Sequence, residues 1–249
     1  MWPSLNVSLN VACEYGQADV VRLLLADPRL NPALNRNEAI RLASHGGHAD
    51  VVRLLLADPR VNPSESNNIA ILMACARGHV DVVGVLLGDD RVNPADDDNK
   101  AVRWASAWGR VAVVRLLLAD SRVNPGDYNN DAIQRACRNG HIDVVRLLLA
   151  DGRVKPGASC ILWACLNGHV DVVRLLLADD RINPVCSDNA AIRKACERGH
   201  VDVVRLLLLD PRINVRGVVA RCNFVFEPKI VLGVRGDIHD TCRCTPHSV

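Results

Sequence analysis

The chain has 249 residues, of which 49% are hydrophobic but only 3% aromatic, so a core must be assembled from Leu, Val, Ile and Ala in thin layers. Thirty basic residues against 28 acidic leave a net charge of +2, which excludes a general pull toward nucleic acid or an anionic membrane. Met1 to Gly16 lack the basic stretch and long apolar run of a secretory signal, and no apolar run approaches the ~20 residues of a membrane span.

From the N-terminus onward the sequence repeats. The block from Asn37, NEAIRLASHGGHADVVRLLLADPRVNPSESN, returns from Asn68 as NIAILMACARGHVDVVGVLLGDDRVNPADDD. Marker glycines at 16, 47, 78, 109, 140, 168 and 199 are separated by 31, 31, 31, 31, 28 and 31 residues. The spacing predicts seven units, 6–36, 37–67, 68–98, 99–129, 130–157, 158–188 and 189–214.

Each unit reads as two short helices. Asn37, with its counterparts Asn6, Asn68, Asn99, Asn130 and Asn189, is expected to cap the first helix through its side-chain oxygen. Ile40 and Ala43 then face inward, with Arg41 and His45 four residues apart on the opposite face. Gly47 stops this helix, because glycine accepts the left-handed cap conformation. The second helix is predicted from about Ala49 to Ala57. Asp50 sits in its first turn, Val51, Val52, Leu54, Leu55 and Leu56 cover most of its circumference, and only Asp50, Arg53 and Ala57 meet water. Asp58-Pro59 ends it, and 60–67 form a polar connector. The unit at 130–157 lacks three residues between Pro156 and Ile161, so residues 150–162 are expected to open more readily than 119–132.

The series from Ile40, Ala43-Ser44 and Gly47-His48-Ala49-Asp50-Val51-Val52 through Leu54-Leu55-Leu56 to Val61-Asn62 resembles the ankyrin repeat, L-H-x-A-A-x-x-G-H-x-E-V-V-x-L-L-L followed by V-N. The resemblance covers residues 6–214. It implies an all-α, helix-turn-helix repeat solenoid of seven repeats. Two features depart from the family. The T-P-L-H start is replaced by Glu38-Ala39-Ile40-Arg41, and the period is two residues shorter than the usual ~33. Short finger turns are therefore expected in place of β-hairpins. The Asp-x-Arg-Val-Asn-Pro form resembles the ankyrin arrays of large DNA viruses of amoebae and of some protists and fungi.

Candidates for chemistry reduce to repeat positions. His48, His79, His141, His169 and His200 follow the marker glycines, but helices one repeat apart lie roughly 8–10 Å from each other, so these rings cannot share a metal ion. Gln17 and Arg110 take the same position, which points to packing. Cys13, Cys75, Cys137, Cys165 and Cys196 also share one position, read as buried free thiols in a reducing cytoplasm. Asp19/Arg22, Asp50/Arg53, Asp143/Arg146, Asp171/Arg174 and Asp202/Arg205 read as i,i+3 pairs on a solvated helix back. The tail 215–249 leaves the pattern and is read as a cap or an irregular segment; Cys222, His239, Cys242, Cys244 and His247 do not have a familiar zinc spacing. No P-loop, G-x-G-x-x-G or H-E-x-x-H occurs. No catalytic residue, cofactor or metal is expected.

The resemblance implies a scaffold that binds an unidentified protein partner, acting as a monomer, without membrane or nucleic acid. The alternatives are anion or nucleic-acid binding through arginine ladders, or a structural array with no dedicated partner. The pairs preceding the marker glycines vary in charge and size while the rest of the unit hardly changes. In ankyrins such positions line the concave binding surface. The expected partner-binding residues are Tyr15, His45, Arg77, Trp108, Arg138, Asn139, Asn167 and Arg198, centred on Trp108 with Arg77 and Arg138 to either side.

Overall fold

The computed structural model describes residues 3–213. They form fourteen α-helices, with no strand among the described residues. The first helices of the units are α1 (Pro3–Glu14), α3 (Leu34–Gly46), α5 (Glu65–Arg77), α7 (Asp96–Ala107), α9 (Asp127–Asn139), α11 (Ala158–Leu166) and α13 (Cys186–Glu197). The second helices are α2 (Ala18–Leu25), α4 (Ala49–Leu56), α6 (Val80–Leu87), α8 (Val111–Ala119), α10 (Ile142–Ala150), α12 (Val170–Leu177) and α14 (Val201–Leu208). First helices pack on first helices and second on second, so the chain stacks as two layers.

Packing follows the periodicity. Ile40, Ile71, Ile133, Ile161 and Ile192 are each 1% exposed or less, as are Leu55, Leu86, Leu117, Leu148, Leu176 and Leu207. Burying each such side chain stabilises the stack by roughly 1.5–3 kcal/mol. In the connectors, Val61 and Pro63 are buried with their counterparts, so the finger contributes an apolar underside as well as a polar tip.

The cap position departs from expectation. Asn37 does not cap its own helix. With Asn35 and Arg36 it forms a left-handed turn, φ 54 to 59°, and the same turn recurs at 66–68, 97–99 and 128–130. Left-handed geometry costs an L-residue roughly 1–2 kcal/mol, least for Asn and Asp, which explains why Asn, Asp and Ser fill most of these places. The Asn37 side-chain oxygen accepts instead from the Asn62 backbone N–H of the next finger at 2.8 Å. Asn68, Asn99 and Asn130 accept likewise from Asn93, Asn124 and Lys155.

The three residues missing before Ile161 are this turn. Gly157 is extended (φ −109°, ψ 177°) and leads straight into α11. The loss is felt one finger later than the sequence suggests. The finger at 151–156 keeps its contacts, with Arg153 donating to Val123 O at 2.8 Å and Leu118 O at 2.9 Å. In the following finger, Asn183 has Ala158 in place of the asparagine acceptor 25 residues earlier, and Arg181 reaches Val154 O only at 3.5 Å. The Asn183 amide should therefore exchange about tenfold faster than those of Asn62 and Asn124, since one hydrogen bond contributes about 0.5–1.5 kcal/mol. Residue-resolved hydrogen exchange by NMR checks this; equal protection would show that the short unit has no weaker joint.

The shared cysteine position carries serine at 44 and 106, both fully buried. Neither hydroxyl has a hydrogen-bond partner. Ser106→Cys should raise stability by about 1 kcal/mol by removing an unpaired buried hydroxyl while keeping the volume. A shift of the urea midpoint upward is the expected result, and an unchanged or lower midpoint would show that the hydroxyl is satisfied in solution.

Candidate functional site

The repeated polar residues are mostly occupied in joining one unit to the next. His48 donates through Nε2 to Glu14 O at 2.8 Å, and His79, His141, His169 and His200 do the same to His45, Ala107, Arg138 and Leu166 at 2.9–3.0 Å. Each acceptor is a carbonyl in the last turn of the preceding first helix, which has no partner within its own helix. Arg110 does this work with Nε on Ala76 O at 2.9 Å. The rings also lie across the marker glycines: a Cβ on Gly47 would come within 2.6 Å of His79 Nδ1.

A second device was not foreseen. In the fingers, Asp58 holds Arg60 through its backbone and guanidinium, and the arginine then reaches back to Leu30 O at 2.9 Å and Leu25 O at 3.0 Å. Arg91, Arg122, Arg153, Arg181 and Arg212 repeat the pattern on Leu56, Leu87, Leu118, Leu149 and Leu177. These carbonyls end the second helices, where a positive charge is favoured by the helix dipole. Hydrogen bonding to the paired arginine holds the carboxyls of Asp58, Asp89, Asp120, Asp151, Asp179 and Asp210 below their ordinary value of 3.8. By contrast, the Asp-x-x-Arg pairs of the second helices close only at Asp50/Arg53 and Asp202/Arg205 among the described residues.

Cys13, Cys75 and Cys165 are poorly suited to reactivity. Burial pushes the Cys13 and Cys165 thiols up to about 12 and Cys75 higher still. Cys160, outside the repeated position, lies beside Cys137, whose thiol is raised by hydrogen bonding to Cys160 and by burial. No cluster of His, Cys, Asp and Glu suited to a metal ion occurs among the described residues. The tail cysteines and histidines lie outside them.

The exposed face of the first-helix layer is less uniform, although Asn139 and Asn167 there donate to Ala107 O and Trp163 O at 2.7 and 2.9 Å. All eight expected residues lie on it and are exposed. Four of them, His45, Arg77, Trp108 and Asn139, line one open groove of about 690 Å³ running across α3, α5, α7 and α9. Trp108 is 60% exposed there. Arg138 does not line this groove; its guanidinium stacks on Trp163 of the following unit at 4.7 Å. Tyr15, Asn167 and Arg198 lie outside this groove.

Sequence reasoning missed Met73, Trp104, Arg110 and Arg135, which also line it. Met73, Trp104 and Arg135 each precede an expected position (Arg77, Trp108, Asn139) by four residues, one helical turn. Extending the variable pairs back by a turn would have found them. Beside the groove, Asp131 is fastened by Arg103 at 2.7 Å and Arg135 at 2.5 Å, and Arg103 in turn stacks on Tyr128 at 4.1 Å.

Two stacked layers of short helices, with polar side chains joining each unit to its neighbour, define a helical repeat solenoid. The family described as ankyrin repeats matches three stretches of the sequence, 9–98, 86–156 and 135–217. The chain belongs to the ankyrin repeat family. Comparison with curated proteins gives no match. No helix among the described residues is long and apolar enough to cross a membrane.

Proposed function

We propose that this chain is a non-catalytic scaffold that binds a partner protein through the concave face of its first-helix layer. Ankyrin repeats generally mediate protein–protein interaction. The observation that carries the reading here is the groove around Trp108: an exposed indole on a rigid helical floor, within a surface where neighbouring units differ. Elsewhere the polar side chains of the repeat are largely taken up by carbonyls and carboxylates of the stack itself. A rigid, pre-formed face of this kind binds without paying much ordering entropy. The arginines of the rival anion-binding ladder, Arg22, Arg53, Arg146, Arg174 and Arg205, belong to the second-helix layer, where Arg53 and Arg205 pair with Asp50 and Asp202.

Trp108→Ala should weaken binding of the partner by about 2 kcal/mol or more, as expected for a central aromatic anchor, with the far-UV spectrum unchanged. Arg53→Ala, on the second-helix layer, should change it by less than about 0.5 kcal/mol. The test is to cross-link a partner captured by the full chain, map the cross-links, and measure its affinity for both variants. Equal effects of the two substitutions, or cross-links confined to the second-helix layer, would refute the assignment.

A further inference from the structure

The floor of the groove is apolar, built from Met73, Ala76, Trp104, Ala107 and Trp108, and its polar rim is cationic. Arg77, Arg110 and Arg135 converge on it from three successive units, and no carboxylate lines it. Their attachments leave charge to spare. Arg77 spends Nη2 on the imidazole Nε2 of His45 at 2.6 Å and not on a carboxylate. Arg110 is anchored by Nε to Ala76 O, so its terminal nitrogens lie beyond a fixed point in a groove with no carboxylate in its lining. Only Arg135 is paired, with Asp131. An apolar platform beside unneutralised guanidinium groups is complementary to an apolar group carrying a nearby negative charge.

Resting on the protein-binding reading above, we propose that the groove takes an acidic-apolar peptide segment of the partner. A bulky apolar side chain of that segment lies on Trp104 and Trp108, and an Asp or Glu close to it in sequence pairs with Arg77 and Arg110. Charge complementarity selects this occupant over a basic or neutral segment. It also selects a peptide over a nucleic acid strand, which needs a run of several phosphate contacts. Here the cations are confined to one groove, Asp131 stands at its edge, and the chain as a whole carries only +2.

The test is selection of random peptides displayed on phage against the full chain, followed by calorimetric titration of the enriched peptides. Enriched sequences should place Asp or Glu beside Leu, Ile or Phe. Replacing the acidic residue by its amide should weaken binding about tenfold, Trp108→Ala should weaken it at least as much, and Arg77→Ala should abolish the preference for acid over amide. Circular dichroism of both variants verifies folding, and Arg77→Ala, being exposed, gives a readout independent of the indole. Neutral or basic peptides that still depend on Trp108 would overturn the acidic preference and leave the protein-binding face standing. Peptides indifferent to Trp108→Ala, or no enriched peptide at all, would overturn both. Tighter binding of oligothymidylate than of any selected peptide at physiological salt, lost in Arg77→Ala, would assign the groove to nucleic acid and overturn the proposal.

Discussion

Gly47→Ala is expected to destabilise the array by about 2–5 kcal/mol, whereas Gly199→Ala costs only about 1–2 kcal/mol. Both glycines are left-handed, at φ 85° and 72°, so both substitutions carry the conformational cost of an alanine there. Only at Gly47 does the added methyl also strike a neighbour, the His79 imidazole 2.6 Å away; at Gly199 nothing among the described residues lies within 4 Å. To admit the methyl, the ring must leave the glycine and give up its hydrogen bond to His45 O. The difference between the two variants in urea-induced unfolding thus measures the histidine's contribution to the joint. Equal losses would show that the ring yields freely and joins nothing.

The second large effect is expected in the fingers. Arg122→Ala removes two charge-assisted hydrogen bonds, to Val92 O and Leu87 O, and leaves Asp120 without its guanidinium. The expected loss is about 1.5–3 kcal/mol, lower in that range because the arginine is partly exposed. Arg53→Ala removes a pair that is solvent-exposed on both sides and should cost under about 0.5 kcal/mol. The same geometry sets the response to acid. The finger aspartates have folded values depressed below 3.8, so their contribution is fully present above that value. It is lost as pH falls through 3.8 toward the lower folded values, when protonation releases each arginine. Far-UV melts from pH 6 to pH 2 should show the wild type losing stability below about pH 4 more steeply than Arg122→Ala does. Parallel acid profiles would show that Asp120 is not held by this arginine.

What could be read from the sequence is what depends on local chemistry and period. The marker glycines are left-handed, Ala49–Leu56 is a helix with Asp50, Arg53 and Ala57 exposed, and the shared cysteine position is buried, all as the pattern predicts. The asparagine was misread because a helix cap and a left-handed turn favour the same residue, and what separates them is the acceptor's partner in the next unit. Asp58 and Arg60 looked like a solvated connector for a related reason. The arginine's partners are main-chain carbonyls some 30 residues earlier, and carbonyls have no sequence signature. At the groove, Trp108 and Arg77 stand out by their variation, but Trp104 is partly buried against the core and reads as part of it. The stacking of Arg138 on Trp163 has no local signature either, because the aromatic comes from the next unit.

The histidine and finger-arginine bonds run one way along the stack: unit n+1 supplies the donors that close both helices of unit n, never the reverse. The array therefore has a polarity that its near-identical units conceal. On a growing chain, each helix pair emerges with its terminal carbonyls unmatched and is finished only when the following histidine and arginine arrive. Shortening the array from its C-terminal side strips the closing groups from the unit that becomes last. Shortening it from the other side leaves the closing bonds of every surviving unit in place, and the polar groups it frees are histidine and arginine donors that water can solvate. A stack built from one repeated sentence is thus closed from one end, like a zip with a single slider.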